Sequence, residues 1–234
     1  MRRGLIIVAV SCLLVPVGTA SASTSNGRLI RGTNSTSSNW SGYSATGGPF
    51  TTVSASWTQP SVTCPGGTQY SSFWVGIDGD GSNSVEQTGT DADCANGAAT
   101  YYAWYEMYPK FPVNLSGTVR PGDGMSASVS TNSTGRFTLT ISDSTQKWTF
   151  TTTQTLKRAR LYSAEVIAEA PSGSGGVLPL ANFGTVSFSA SMANGRAIGT
   201  YNPDEIVMAS SGVVKAQPSS LSGGTAFSVT WKHT

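Results

Sequence analysis

Residues 137–142 read FTLTIS, a run in which apolar and hydroxyl-bearing side chains alternate without exception. The same period of two recurs in four other segments, at 53–58, 125–129, 186–190 and 227–231. Such alternation is the signature of antiparallel strands with one buried face. Turn signals such as PGDG at 121–124 separate the runs, and no helical period follows the first 22 residues. The chain is therefore predicted to be an all-β sandwich.

The N-terminus has the composition of a secretory signal peptide. A positively charged start, Met1-Arg2-Arg3, precedes an apolar stretch from Leu5 to Val17 and the small residues Ala20-Ser21-Ala22. The apolar stretch is shorter than the about 20 residues that span a membrane. We therefore expect residues 1–22 to be removed and the protein to be secreted and extracellular.

Two further segments are expected after the signal peptide. Residues 23–38 are rich in Ser, Thr and Asn without an apolar period, which predicts a flexible leader or a short propeptide. Residues 39–234 have a uniform texture of short alternating runs, and a β-sandwich commonly reaches this size undivided. We expect them to form a single β-sandwich domain that carries any catalytic activity, in a monomer.

Cleavage after Ala22 changes the charge and the cysteine count. Without Arg2 and Arg3 the 14 Lys and Arg residues become 12, equal to the 12 Asp and Glu residues. A neutral chain has no electrostatic basis for binding nucleic acid or an anionic membrane. Cys12 also leaves with the signal, so Cys64 and Cys94 remain as an even pair outside the cell. This pair predicts a disulfide.

The inventory of catalytic side chains points to carboxylates. His233 is the sole histidine and the penultimate residue, and frayed termini are poor places for a Ser-His-Asp triad or a Cys-His pair. No zinc-ligand spacing or phosphate-binding glycine loop is present, so we expect neither a metal nor a cofactor. The acidic run at 78–83 is an alternative calcium loop, but it lacks the Gly and Glu of an EF-hand, which favours a tight turn.

Four segments carry a resemblance to a known family. They are SFWVGIDGD at 72–80, VEQTG at 85–89, YYAWYEMYP at 101–109 and AEVIAE at 164–169. In this order and spacing the chain resembles the glutamic peptidases, or eqolisins, from Asn39 to its C-terminal strand. The resemblance implies a concanavalin-like sandwich of two antiparallel sheets and an acid endopeptidase that acts on polypeptides.

The resemblance also implies which residues form the site. The family's catalytic glutamate falls on Glu169 and its catalytic glutamine on Gln87. Glu169 would activate water as a general base, and the Gln87 carboxamide would stabilise the oxyanion. Trp74 and Asp78 match residues that line the site, and Glu106 matches a buried glutamate close behind it. A lone carboxylate near its reference pKa of about 4.3 would stay ionised in mild acid, so we expect activity to peak there.

Strand parity supports the same pair. Glu165, Ile167 and Glu169 share one face of their strand, while Gln87 faces away from Glu86. One face of the aromatic run would form a wall of the substrate cleft; its members are Tyr102, Trp104, Glu106 and Tyr108. Burial among these aromatics is expected to raise the pKa of Glu106.

The chain departs from the family pattern at three places. Tyr102 stands where many fungal members have Asp, Met107 stands where they have Trp, and Gly81-Ser82 follows GIDGD where they often have a cysteine. We expect the first two departures to alter the substrate cleft and the third to imply a different disulfide, between Cys64 and Cys94.

Two other functions remain as alternatives. A glycoside hydrolase could use two carboxylates such as Glu106 and Glu169. A carbohydrate-binding module could stack the same aromatic residues on sugar rings.

Overall fold

A computed structural model of the protein describes residues 34–132 and 134–234, together with the short strand at 14–15. The strands in the first half are β1 (Leu14–Val15), β2 (Asn34–Ser37), β3 (Trp40–Thr46), β4 (Thr52–Thr58), β5 (Thr68–Gln69), β6 (Ser72–Ile77), β7 (Val85–Ala95), β8 (Ala98–Tyr108), β9 (Val113–Asn114) and β10 (Gly124–Thr131). Those in the second half are β11 (Arg136–Asp143), β12 (Trp148–Thr155), β13 (Ser163–Glu169), β14 (Ser172–Gly173), β15 (Gly176–Val177), β16 (Thr185–Ala193), β17 (Arg196–Ala197), β18 (Asp204–Ser210), β19 (Val213–Pro218) and β20 (Phe227–Trp231). A single 3-10 turn, Ile198–Tyr201, is the helical element of the described residues.

Strand pairing defines two antiparallel layers. The front sheet runs β9-β8-β7-β6-β13-β3-β18. The back sheet runs β12-β11-β10-β4-β16-β20-β19. The layers are joined at one edge because β18 and β19 form a hairpin. The chain is thus an all-β sandwich, as predicted.

The core lies between the two sheets and follows the alternation in the sequence. In β11, Phe137, Leu139 and Ile141 are buried against the front sheet, and the intervening hydroxyl side chains face outward. The front sheet contributes Val75 and Val166 to the same cluster. Period two in the sequence therefore identifies the faces of β11 correctly, whereas β6 and β13 of the front sheet are buried on both faces.

The predicted disulfide is present. Cys94 near the end of β7 is bonded to Cys64 in the loop that follows β4. It closes a sequence separation of 30 residues and ties that loop to the front sheet. The disulfide uses Cys64 and Cys94, and this chain has Gly81-Ser82 directly after the GIDGD segment, where no cysteine is available.

The N-terminal segments are described only in part. The predicted signal peptide at 1–22 lies outside the described residues except for β1, which pairs with β2. The end of the predicted leader at 23–38 is the strand β2, which runs parallel to β18. Residues 34–37 are a strand because the edge of β18 supplies backbone partners that local composition does not reveal, and residues 23–33 of the predicted leader lie outside the described residues. Within the described residues, no helix is both long and apolar enough to span a bilayer.

Candidate active site

The outer face of the front sheet carries the residues that the resemblance assigns to catalysis. Register places Gln87 on β7 directly opposite Glu106 on β8, and Glu169 on β13 opposite Trp40 on β3. Trp74 lies on β6, between β7 and β13. Because these positions share one parity, five side chains from five adjacent strands point to the same side. We call this surface the site face.

Two donors hold the Glu169 carboxyl. Its Oε2 accepts a hydrogen bond from the Trp74 indole at 2.7 Å, and its Oε1 accepts one from Asn39 Nδ2 at 3.1 Å. Asn39 accepts in turn from the Ser37 hydroxyl at 3.1 Å, and Trp40 packs edge-on against Trp74 at 4.9 Å. Sequence reasoning gave no role to Asn39 or Ser37. The family resemblance begins at Asn39-Trp40, and this was the one indication in the sequence that Asn39 belongs to the site.

Glycines beside Trp74 make room for its indole. A Cβ atom on Gly89, opposite Trp74, would lie 2.6 Å from the Trp74 Cβ and 2.2 Å from the Phe73 carbonyl oxygen. A Cβ atom on Gly76 would lie 2.9 Å from the indole ring. The glycines of the WVGI and QTG segments therefore let the indole lie on the sheet, where its N–H reaches Glu169.

Burial governs the ionisation of Glu169. Desolvation raises its pKa well above 4.5, the Trp74 hydrogen bond opposes this rise, and the charge of Glu106 adds to it. The expectation of a pKa near 4.3 is therefore wrong, because it ignores a carboxyl that is only 1% exposed. A more basic carboxylate is a stronger acceptor for the proton of a water molecule.

Gln87 and Glu106 form a second pair on the site face. Gln87 Nε2 donates to Glu106 Oε2 at 2.6 Å. Burial raises the pKa of Glu106 to about 8, with the Gln87 hydrogen bond acting in the opposite direction. The rise expected from sequence is confirmed. A carboxamide has two N–H donors, so Glu106 orients the group with one and leaves the second for another acceptor.

Glu86 adjoins Gln87 but lies on the opposite side of β7. Its register partners are Ile77 and Met107, whose side chains belong to the core between the sheets. Neither of its carboxyl oxygens has a hydrogen-bond partner among the described residues, and burial raises its pKa to about 8. Parity therefore separates Glu86 from the site face, as predicted.

Asp78 anchors a turn. Its two carboxylate oxygens accept the backbone N–H groups of Leu161 at 2.9 Å and Tyr162 at 2.7 Å. Asp80 accepts from the Ser44 hydroxyl at 2.7 Å. The acidic run at 78–83 is thus a tight turn held by protein donors, and the described residues contain no group of acids, His and Cys suited to a metal ion.

A second hydrogen-bonded group flanks the site face. The Trp104 indole donates to Asp91 Oδ1 at 2.5 Å, and the Tyr102 hydroxyl lies 2.8 Å from both Asp91 Oδ2 and Asp93 Oδ2. Sequence reasoning found Trp104 but missed both aspartates. Strand parity could have revealed them, because positions 89, 91 and 93 lie on the same face of β7 as Gln87.

The departures from the family pattern fall on different faces of β8. Tyr102 packs against the aromatic cluster of the site face, so its effect on the substrate cleft stays a prediction. Met107 is buried in the core between the sheets, so the expectation that it alters the cleft is wrong. Met107 has an odd number in β8, whereas Tyr102 and Trp104 have even numbers, so its side chain points to the opposite face of the strand.

The buried carboxyls make stability depend on pH. Burial raises the pKa of Glu86, Glu106 and Asp93 to about 8 and that of Asp91 to about 6. In the unfolded chain these groups titrate near pH 4. Because each folded-state pKa is raised, the folded protein binds more protons between these values. The resulting stability is fully present below about pH 4 and is lost as the pH rises through about 6 to 8.

We therefore expect the protein to melt at a higher temperature in acid than at neutral pH. Loss of 1 kcal/mol lowers the melting temperature by about 2–4 °C in a domain of this size, so a fall of at least about 5 °C is expected between about pH 4 and pH 8. Calorimetry checks this. Glu86→Gln keeps the side-chain shape without the ionisable group, so it should flatten the dependence. A melting temperature that rises toward pH 8 would contradict the account.

Sequence comparison places this architecture among known proteins. Residues 38–231 match the model of the peptidase A4 family. Aspergillopepsin-2 from Aspergillus niger is 31% identical over 177 residues, which cover 65% of this chain and 63% of that protein. Scytalidopepsin B from Scytalidium lignicola is 42% identical over 98 residues, which cover 41% of this chain and 36% of that protein. The matched parts thus span less than two thirds of the length of these relatives.

Comparison with solved structures gives the same grouping. Scytalido-glutamic peptidase bound to a transition state analog inhibitor superposes with a TM-score of 0.73 at 27% identity, over 83% of this chain and 98% of that one. Aspergilloglutamic peptidase from Aspergillus niger superposes with a TM-score of 0.62 at 26% identity, over 70% of this chain and 99% of that one. Both share the two-sheet sandwich.

Proposed function

This chain belongs to the peptidase A4 family, and on that premise we propose that it is a secreted, monomeric acid endopeptidase that uses Glu169 and Gln87. The observation that carries the proposal is the pairing on one sheet face. Donors from Asn39 and Trp74 hold a lone carboxyl there, and Glu106 orients a carboxamide on the same face. The relative crystallised with a transition state analog inhibitor supports a hydrolytic role for this architecture.

In the proposed first step, Glu169 in its ionised form, which the raised pKa makes the minor form in acid, takes a proton from a water molecule. The water oxygen forms a bond to the carbonyl carbon of the scissile peptide, and the carbonyl oxygen becomes an oxyanion. The free N–H of Gln87 donates to that oxyanion in a site shielded from solvent, where a hydrogen bond is worth more than in water.

In the second step, the proton held by Glu169 moves to the leaving nitrogen. The carbon–nitrogen bond breaks, an amine and a carboxylic acid form, and Glu169 is ionised again. One carboxyl therefore serves as base and then as acid. Glu106 remains neutral in acid because its pKa is raised to about 8, so it adds no negative charge beside the oxyanion.

Glu106 should set the alkaline limit of activity. As the pH rises through about 8, its ionisation would place a negative charge beside the oxyanion and oppose the transition state. Glu106→Gln keeps an acceptor for Gln87 and cannot ionise, so we expect the alkaline limb of kcat/KM to move to higher pH. Profiles of both proteins on one peptide test this, and superimposable alkaline limbs would contradict it.

A substrate panel tests the proposed function itself. The mature chain is assayed at acidic pH on denatured protein and on polysaccharides, with Glu169→Gln as the inactive control. Cleavage of protein by the wild type, and not by the control, supports the peptidase. Cleavage of glycan alone would favour the glycoside hydrolase, and binding of glycan without cleavage the carbohydrate-binding module.

A further inference from the structure

A bridged pair of acids continues the site face along β7. Asp91 and Asp93 follow Gln87 at alternate positions and are 8% and 9% exposed. Tyr102 is paired in register with Asp91, and its hydroxyl also reaches diagonally to Asp93, at 2.8 Å from each carboxyl. A diagonal neighbour across two strands lies within reach of a long aromatic side chain.

The count of hydrogens indicates that this group holds an extra proton. A phenol has one hydrogen and can donate it to one of the two carboxyl oxygens. A hydrogen on one carboxyl would give the second contact its own full hydrogen bond, whereas one phenol hydrogen shared between two charged acceptors would make two weaker bonds. The geometry therefore favours an aspartate that donates to the Tyr102 oxygen.

The surroundings indicate that Asp93 is the donor. Asp91 also accepts the Trp104 indole at 2.5 Å, which favours its charged form. Apart from Tyr102, the donor to Asp93 among the described residues is the distant backbone N–H of Ser71, at 3.4 Å. Burial, reinforced by the charge of Asp91, raises the pKa of Asp93 to about 8.

We propose that Asp93 is a positioning residue. Its protonated carboxyl donates to Tyr102, Tyr102 donates to Asp91, and Asp91 thereby holds the Trp104 indole in the wall of the site. Trp104 packs in one cluster with Trp74, whose indole donates to Glu169. The consequence for catalysis rests on the proposed peptidase function, whereas the hydrogen-bonded chain itself does not.

In this group the phenol of Tyr102 on β8 lies between two acids of β7, Asp91 and Asp93. Other ionisable groups face the pair. Burial raises the pKa of Tyr70, Glu106 and Glu169; Asp93, when ionised, adds to the rise for Tyr70, and Asp91, when ionised, adds to it for Glu106 and Glu169.

Two substitutions separate positioning from simple packing. Asp93→Asn retains an N–H donor for Tyr102, so kcat and KM at the acidic optimum should stay close to the wild-type values. Asp93→Ala removes the donor and should raise KM about 2–10-fold, the effect of one lost hydrogen bond, with a smaller change in kcat. Equal KM values for Ala and wild type would overturn the proposal, as would a failure of Asn to restore the Ala loss.

Thermal unfolding tests the hydrogen bonds from Asp93 through Tyr102 to Asp91 without relying on catalysis. The wild type loses the Asp93 proton as the pH rises through about 8, whereas the carboxamide of Asp93→Asn donates at every pH. The melting temperature of the Asn variant should therefore exceed that of the wild type by an amount that grows from about pH 5 to pH 9. Parallel curves would overturn the positioning role even if peptidase activity is found. A growing difference in a protein without peptidase activity would support the chain and refute the proposed function.

Discussion

Glu169→Gln is expected to lower kcat by about 10²–10⁴-fold, the usual contribution of a general base. Gln has nearly the same shape as Glu but accepts no proton from water at any working pH. The loss should fall on kcat and kcat/KM together, because the proton moves only in the transition state. Steady-state kinetics on a single peptide measures this effect.

The fold should survive that change. Asn39 and Trp74 both donate to Glu169. In Glu169→Gln the carboxamide oxygen can accept the Trp74 hydrogen bond, and its NH2 group can donate to the Asn39 side chain once that amide has rotated. Removal of a buried carboxyl with a raised pKa also costs little. Glu86→Gln is the matched control, because it changes a buried glutamate on the other face of the same sheet. If Glu86→Gln were as inactive as Glu169→Gln, the loss of activity would be due to misfolding and not to the missing base.

Gln87→Ala is expected to lower kcat by about 10²–10³-fold, the effect of removing one oxyanion donor. KM should change little, since the carboxamide binds charge that develops only in the transition state. The substitution also leaves the buried Glu106 without its 2.6 Å donor, so the melting temperature is measured beside the kinetics. A raised KM with normal kcat would show that Gln87 only binds substrate.

A second substitution, at the neighbouring Glu106, strengthens the test of Gln87. Gln87→Ala combined with Glu106→Gln removes the ionisable group, so the melting temperature of the double variant should no longer fall through the ionisation of Glu106 as the pH rises to about 8. The double variant should not recover kcat, because no donor faces the oxyanion. Recovery of kcat in the double variant would contradict the oxyanion role.

The features predicted from the sequence are those with a short-range physical signal. The FTLTIS run predicted β11 and its buried face, and parity separated Glu169 and Gln87 from Glu86. The cysteine count after signal removal predicted the disulfide between Cys64 and Cys94, which the structure contains. Each of these predictions depends on alternation or on counting, which neighbouring residues in the chain are enough to reveal.

The features that sequence did not reveal depend on contacts between distant strands. β2 forms where the edge of β18 offers partners, and the two strands are far apart in the chain. Asn39 reaches Glu169 because β3 pairs with β13. The Tyr102 bridge is different, because the two-residue turn Asn96-Gly97 fixes the register of the β7-β8 hairpin locally. A turn fixes the register of a hairpin, whereas a local pattern does not reveal which segments far apart in the chain will pair.

The ionisation of the carboxyls is likewise a property of the folded protein. A reference pKa describes Glu169 in water, yet the residue is 1% exposed and hydrogen-bonded to the Trp74 indole. Desolvation then decides the direction of the shift. The sequence anticipated this for Glu106, which lies within an aromatic run, because the buried neighbours there are adjacent in the chain.

The most direct measurement compares wild type with Glu169→Gln on an acid-denatured protein substrate. Both enzymes are used at equal concentration, and the rate at which new peptide termini form is followed by mass spectrometry. The account predicts rapid formation by the wild type and a rate at least about 100-fold lower for the folded variant. Equal rates of peptide-bond cleavage would contradict the assignment of Glu169 as the base.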